Sequence, residues 1–203
     1  MSSIKVHILH CGSVRVDTSL PFKSKSWNPF SYLGIGRSAE HQIWLPVSAY
    51  LIEHPKGLVL IDTGWSNAVR NNDLGRQHLG FFHWLINKAS LPEDCAIDEQ
   101  LAKLGYQTAD LDYVILSHLH SDHVSGLHLV KFAKNILVSD LELEDAQKMP
   151  YRYVTKMWED IPLTTFSFDN INIGPKGKAY DLFQDNTILL VHTPGHTLSL
   201  IHI

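Results

Sequence analysis

The sequence predicts an α/β fold, with helices layered on a mixed sheet, on three observations. Strand-like segments come in adjacent groups joined by turns, at 47–62 and again at 163–192. Helix-like segments, 96–104 and 140–148, are inserted between these groups rather than gathered at one end. Tyr113–Leu116 (YVIL) is apolar throughout, the pattern of a buried strand. At 203 residues the chain is long enough to bury a sizeable core and is expected to form a single domain over 1–203.

Taken in order, Ile4–His10 (IKVHILH) alternates apolar and polar residues and reads as a half-buried strand closed by Cys11-Gly12. Residues 17–42 have no period and read as a long loop. Val47–Glu53 and Leu58–Ile61 make a hairpin across His54-Pro55-Lys56-Gly57, which ends at Asp62-Thr63-Gly64. Residues 65–95 are polar and then aromatic. In this region Phe81, Phe82 and Trp84, together with Trp44, read as core residues, with an acyl pocket as the alternative. A helix over 96–104 stops at Gly105, the segment 124–132 reads as helical, and 135–139 is a strand followed by a helix over 140–148. Further strands are expected at 163–168, 170–173, 180–183 and 187–192.

Composition excludes several function classes. With 44% apolar and 19% charged residues and a net charge of −4, the chain shows neither a basic stripe for nucleic acid nor a Lys/Arg block for a membrane surface. No apolar run reaches bilayer length, and Met1–Gly12 lacks the pattern of a signal peptide. Cys11 and Cys95 form no CxxC spacing and read as reduced thiols of a cytoplasmic protein. Thirteen histidines stand out and raise the expectation of a metal site.

That expectation has a location. Residues 117–123 read Ser-His-Leu-His-Ser-Asp-His, directly after the apolar strand. Four of the seven are metal-ligand types, and four such residues at this spacing have little structural reason to occur. His118 and His120, two apart, point the same way if the chain is extended there, whereas the adjacent Asp122 and His123 would diverge and serve a second metal. Imidazole and carboxylate suit Zn2+, and the same set accepts other divalent transition metals. Downstream, Thr193-Pro194-Gly195-His196 forms a tight turn that re-aims His196 at a strand's end.

Through the segments 45–64, 116–127 and 193–197, the sequence resembles the metallo-β-lactamase superfamily and, within it, the N-acyl homoserine lactonase-like group. The resemblance implies a metallo-β-lactamase-type four-layer αβ/βα sandwich with mixed sheets. It implies that His118, His120 and His196 hold a first metal, that Asp122 and His123 hold part of a second, and that Asp62 supports them from behind. It further implies a metal-dependent hydrolase of the quorum-quenching kind. One or two zinc ions would activate water against the carbonyl of a small lactone or ester, and Asp122 would shuttle a proton to the leaving alkoxide. A glyoxalase II-like thioesterase is the runner-up. A metal-binding fragment of little activity is the third reading.

The sequence departs from the family in several places. A bridging Asp and a last His for the second metal have no counterpart by Ile203, so the second half of the fold is expected to be incomplete through C-terminal truncation, with the 188–191 strand exposed. His192 and His202 are the remaining histidines near that site. Ser199 stands where the family usually has Gly, and 198–203 reads as foreign to the pattern. Ser121 replaces an aromatic residue, and Val124-Ser125 precede a retained Gly126 where small residues are common.

Overall fold

A computed structural model describes residues 3–19, 22, 36–197 and, for the backbone, 201–202. Eleven strands and five α-helices appear among them. The strands are β1 (Lys5–Asp17), β2 (Gln42–His54), β3 (Gly57–Ile61), β4 (Lys88–Ser90), β5 (Tyr113–Leu116), β6 (Asn135–Ser139), β7 (Thr164–Phe166), β8 (Asp169–Asn170), β9 (Lys178–Asp181), β10 (Leu189–His192) and β11 (Ile201–His202). The helices are α1 (Asn72–Leu79), α2 (Phe81–Ile86), α3 (Ile97–Lys103), α4 (Ser121–Val124) and α5 (Asp140–Lys148). Among the described residues no helix is long and apolar enough to cross a membrane.

Seven strands form one sheet in the order β4-β1-β2-β3-β5-β6-β7, and four form a second in the order β11-β10-β9-β8. The large sheet is mixed: β1 to β3 meander antiparallel, then β3, β5, β6 and β7 run parallel. This agrees with the mixed sheet read from paired strands and inserted helices. Parallel strands place their carboxyl ends on one edge, where loops leave the sheet and ligands gather. Asp62 and the 117–123 motif follow β3 and β5 at that edge.

Alternation along each strand divides the core in two. Leu58, Leu60, Val114, Leu116, Ile136 and Val138 join Ile97, Leu101 and Ala146 of the helices in one cluster. Val59, Ile61, Ile115 and Leu137 pack with Phe166, Leu182, Ile188 and Leu190 in another, to which no helix contributes a buried residue. The layers are therefore helix, large sheet, small sheet. Val114, Ile115 and Leu116 are fully buried between two such layers, and each contributes about 1.5–3 kcal/mol through burial.

Several expectations are corrected. The first strand does not close at Cys11-Gly12. It runs to Asp17 through a register shift between His10 and Ser13, where Gly12 takes a φ of +94°. Its alternation has the opposite sense, because Leu9 and Cys11 are buried while Val6 and Ile8 are 60% exposed. Val6 pairs with Ile52, whose side chain belongs to the second cluster, so Val6 and Ile8 lie on the face that the small sheet covers only farther along. The apolar exposure expected at 188–191 is not found there, since Ile188 and Leu190 are buried. Residues 65–95 contain α1, α2 and β4, and 124–132 is not a helix but a short turn of 3-10 structure at Leu127–Leu129. Trp44, Phe81 and Phe82 are exposed, and only Trp84 packs on the core. Most of the 17–42 loop (20–21 and 23–35), Ser199 and the side chain of His202 lie outside the described residues.

The turn after β3 depends on Gly64. Its φ is +62°, and a Cβ there would sit 2.1 Å from the Cys11 Cβ. Backbone strain and overpacking add up, so Gly64→Ala should cost about 2–4 kcal/mol in urea unfolding. A loss within about 0.5 kcal/mol, the range of an ordinary surface change, would contradict this packing.

Candidate metal centre

Asp62 ends β3 with a φ of +58°, a conformation few non-glycine residues adopt. Its N–H donates to the Ile115 carbonyl at 2.9 Å, which ties it to the neighbouring parallel strand. Its carboxylate is buried and turns toward the motif. Oδ1 accepts the Ser117 N–H at 2.8 Å, and Oδ2 accepts the Ser117 hydroxyl at 2.6 Å. Oδ2 also lies 2.7 Å from His123 Nδ1.

These contacts decide the histidine tautomers. The Ser117 hydroxyl gives its proton to Asp62, so its oxygen is left to accept from His118 Nδ1 at 3.0 Å. The proton on His118 is therefore assigned to Nδ1, and Nε2 carries a lone pair. That Nε2 is buried and has no hydrogen-bond partner among the described residues. An orphaned ring nitrogen in a buried site is what a bound cation would satisfy.

His120 and His196 reach the same place from two different loops. His120 precedes α4, and His196 follows β10 in a turn closed by Gly195 N–H to the Thr197 carbonyl at 2.9 Å. His120 Nδ1 and His196 Nε2 lie 2.9 Å apart, so one proton is shared between them, the proton a cation would displace. One ligand nitrogen from each of His118, His120 and His196 falls within 4.8 Å of the other two. Burial holds all three imidazoles below the ordinary histidine range, His120 at about 3, and neighbouring histidines add to the effect. They are neutral at pH 7, the state in which imidazole binds metal.

Asp122 and His123 stand beside this group rather than within it. They occupy a single turn of α4, so the extended-chain reading of their divergence is corrected. The Thr63 N–H and hydroxyl both donate to the His123 carbonyl at 2.8 Å, and Gly126 N–H donates to the Gly64 carbonyl at 3.0 Å. The turn after β3 is thereby fastened to α4. The His123 ring centroid is 4.0 Å from that of His118, and its Nε2 is 3.6 Å from Asp122 Oδ2. Burial alone would lower the His123 pKa, but the Asp62 and Asp122 carboxylates outweigh it and raise it to about 9 in the metal-free chain. His192 is elsewhere, stacked on Phe168 at 4.7 Å.

Three contributors escaped the sequence reading. Ser117 adjoins the motif but belongs to no ligand pattern. Arg152 donates to the His196 carbonyl at 3.2 Å, and its charge reaches His120 and His196. Glu142 of α5 is fully buried and accepts the Leu119 N–H at 2.9 Å. Burial pushes its carboxyl above the ordinary range, opposed by Leu119 N–H and by the Thr197 and Tyr153 side chains.

The metallo-beta-lactamase superfamily model matches residues 43–203, so the tail read as foreign lies inside the matched region. The N-acyl homoserine lactonase AttM of Azorhizobium caulinodans is 32% identical over 97% of this chain and 68% of its own length. AttM of Agrobacterium fabrum is 28% identical over the same shares. A solved N-acyl homoserine lactone hydrolase, with the product N-hexanoyl-L-homoserine at its catalytic metal centre, superposes with a TM-score of 0.73 at 25% identity. That alignment covers 99% of this chain and 70% of the other.

The protonation of His123 gives a direct test. With a folded pKa of about 9 against roughly 6.5 unfolded, His123 stabilises the metal-free chain below pH 6.5, and that stabilisation is lost as pH rises through 9. NMR titration should show its ring protonating near 9, and Asp62→Asn should lower the midpoint because the charge that raises it most is lost and its hydrogen bond is weakened. An unmoved midpoint would separate Asp62 from His123.

Proposed function

Because the chain belongs to the metallo-beta-lactamase superfamily, we propose that it is a metal-dependent hydrolase opening the ring of N-acyl homoserine lactones or closely similar esters. The reading is carried by the meeting of His118, His120 and His196, one ligand nitrogen of each within 4.8 Å of the others, and by the orphaned His118 Nε2. The lactone assignment is supported by the names of the AttM relatives and by the product in the similar hydrolase structure. Residues 1–203 are taken as one domain of this fold.

Zinc is the proposed ion, since three neutral imidazoles with an open position are a common catalytic zinc set, though manganese, iron or cobalt would also fit. A divalent ion so held supplies a Lewis acid for a carbonyl and makes water a usable nucleophile at neutral pH. Everything else is done by the chain. Asp62 and Ser117 keep His118 Nε2 free of a proton. Asp122, a quarter exposed beside His123, is proposed to take a proton from the attacking water and pass it to the ring oxygen as the lactone C–O bond breaks. Arg152 places a positive charge beside His196, and we propose that it attracts the carboxylate that ring opening creates. Asp122 and His123 are proposed as part of a second metal position. Residence in the cytoplasm is proposed from the two free cysteines.

A panel of N-hexanoyl homoserine lactone, a thioester and a β-lactam tests the proposal. Lactone turnover should vanish with a chelator and return with zinc. His118→Ala should lower both metal content and kcat/KM, the latter roughly 100-fold or more. Asp122→Asn should lower kcat by about 10²–10⁴-fold. Turnover of the thioester alone, or full metal content in His118→Ala, would overturn the reading.

A further inference from the structure

Two loops must be held in register for His118, His120 and His196 to share one ion, and they lie far apart in sequence. Leu119 stands between the first two ligands, and Thr197 directly follows the third. One buried side chain, Glu142, is bonded to the first of these and lies close to the second. Glu142 Oε1 accepts the Leu119 N–H at 2.9 Å, while Oε2 is buried without a hydrogen-bond partner among the described residues and lies within electrostatic reach of the Thr197 side chain. Leu119, Thr197 and Glu142 are 0%, 5% and 0% exposed, so water does not compete for these contacts.

The position of Glu142 on α5 points the same way. Ser139 caps that helix by accepting the Glu142 N–H at 3.1 Å, which makes Ser139-x-x-Glu142 a capping-box pattern. In an ordinary capping box the Glu side chain serves its own helix end on the surface. Here the side chain is fully buried and its Oε1 serves the ligand loop instead. A buried carboxylate is costly unless hydrogen-bonded and balanced by positive charge. No Lys or Arg is ion-paired with Glu142 among the described residues. Protonated His123 is within electrostatic reach of Glu142 in the metal-free chain, and a divalent cation held across Leu119 would add to that positive charge.

We propose that Glu142 is a positioning residue of the metal centre, locking the His118–His120 loop to the His196 loop through Leu119 and Thr197. It touches neither ion nor substrate and acts through the two loops. This rests on the three-histidine metal reading given above. Residues that orient metal ligands from behind typically contribute 10–100-fold in affinity.

The test compares the whole chain with Glu142→Gln, Glu142→Ala and, as a stability control, Glu99→Gln, which breaks the distant Arg70–Glu99 pair. Zinc dissociation constants come from competition with a chromogenic chelator, and melting is followed on the metal-free proteins. Cobalt(II) absorption spectra report ligand geometry. Glu142→Gln can still accept the Leu119 N–H, so it should fold, bind zinc about 10-fold more weakly and shift the cobalt bands. Glu142→Ala should approach 100-fold where it folds. Glu99→Gln should lower melting and leave zinc affinity unchanged. If Glu142→Gln melts lower but binds zinc as the parent does, with unchanged cobalt bands, Glu142 is only a structural carboxylate and the proposal falls. A parent chain that takes up no zinc would sink the metal reading itself.

Discussion

The hydrogen-bonding of one buried carboxylate, Asp62, is the constraint from which the rest of the centre follows. It sits at a strained φ of +58° at the end of β3 and accepts from the Ser117 backbone, the Ser117 hydroxyl and His123. With three donors converging on two oxygens, there is little freedom left. The serine proton is committed, so the His118 proton is committed, so His118 presents a lone pair to the site. The strain at Asp62 and the close approach at Gly64 are tolerated because β5 holds the start of the turn through Ile115 and the α4 segment holds the rest through His123 and Gly126. A site of this kind is built from the sheet outward, and its ligands inherit the rigidity of buried strands.

The HxHxDH spacing made the candidate ligands legible because few structural demands produce four ligand types in seven positions. The TPGH turn gained its meaning only alongside that motif. What spacing could not convey was the local backbone. The sequence was read as extended through Asp122 and His123, whereas it turns into a helix at Ser121, held by Thr63 and Gly64 from 60 residues upstream. Residues such as Ser117, Glu142 and Arg152 left no signal of their own, because their roles come from contacts over long sequence distances. Glu142 even carries a misleading local signal, a capping-box position, while its carboxylate is used elsewhere.

The fold was legible in the same uneven way. Hairpins, the apolar β5 and the helix at 140–148 follow from period and turn chemistry. The first strand shows the limit of that method. Its alternation is real, but either phase could face the core, and Leu9 with Cys11 is the pair the helices bury. The consequence is an apolar edge of Val6 and Ile8 beside the region where the two sheets meet. The α1–α2 segment was missed because Gly75 and Gly80 interrupt its helical pattern, though Asn71 caps α1 by accepting from Asp73 and Leu74.

The central claim is that the ends of β5 and β10 deliver three imidazoles to one ion. X-ray absorption at the zinc edge, on the chain loaded with one equivalent of zinc, measures that environment directly. The account predicts about three imidazole nitrogens at roughly 2.0–2.1 Å, with no sulfur. Fewer than two imidazoles, or a sulfur shell at about 2.3 Å, would contradict it.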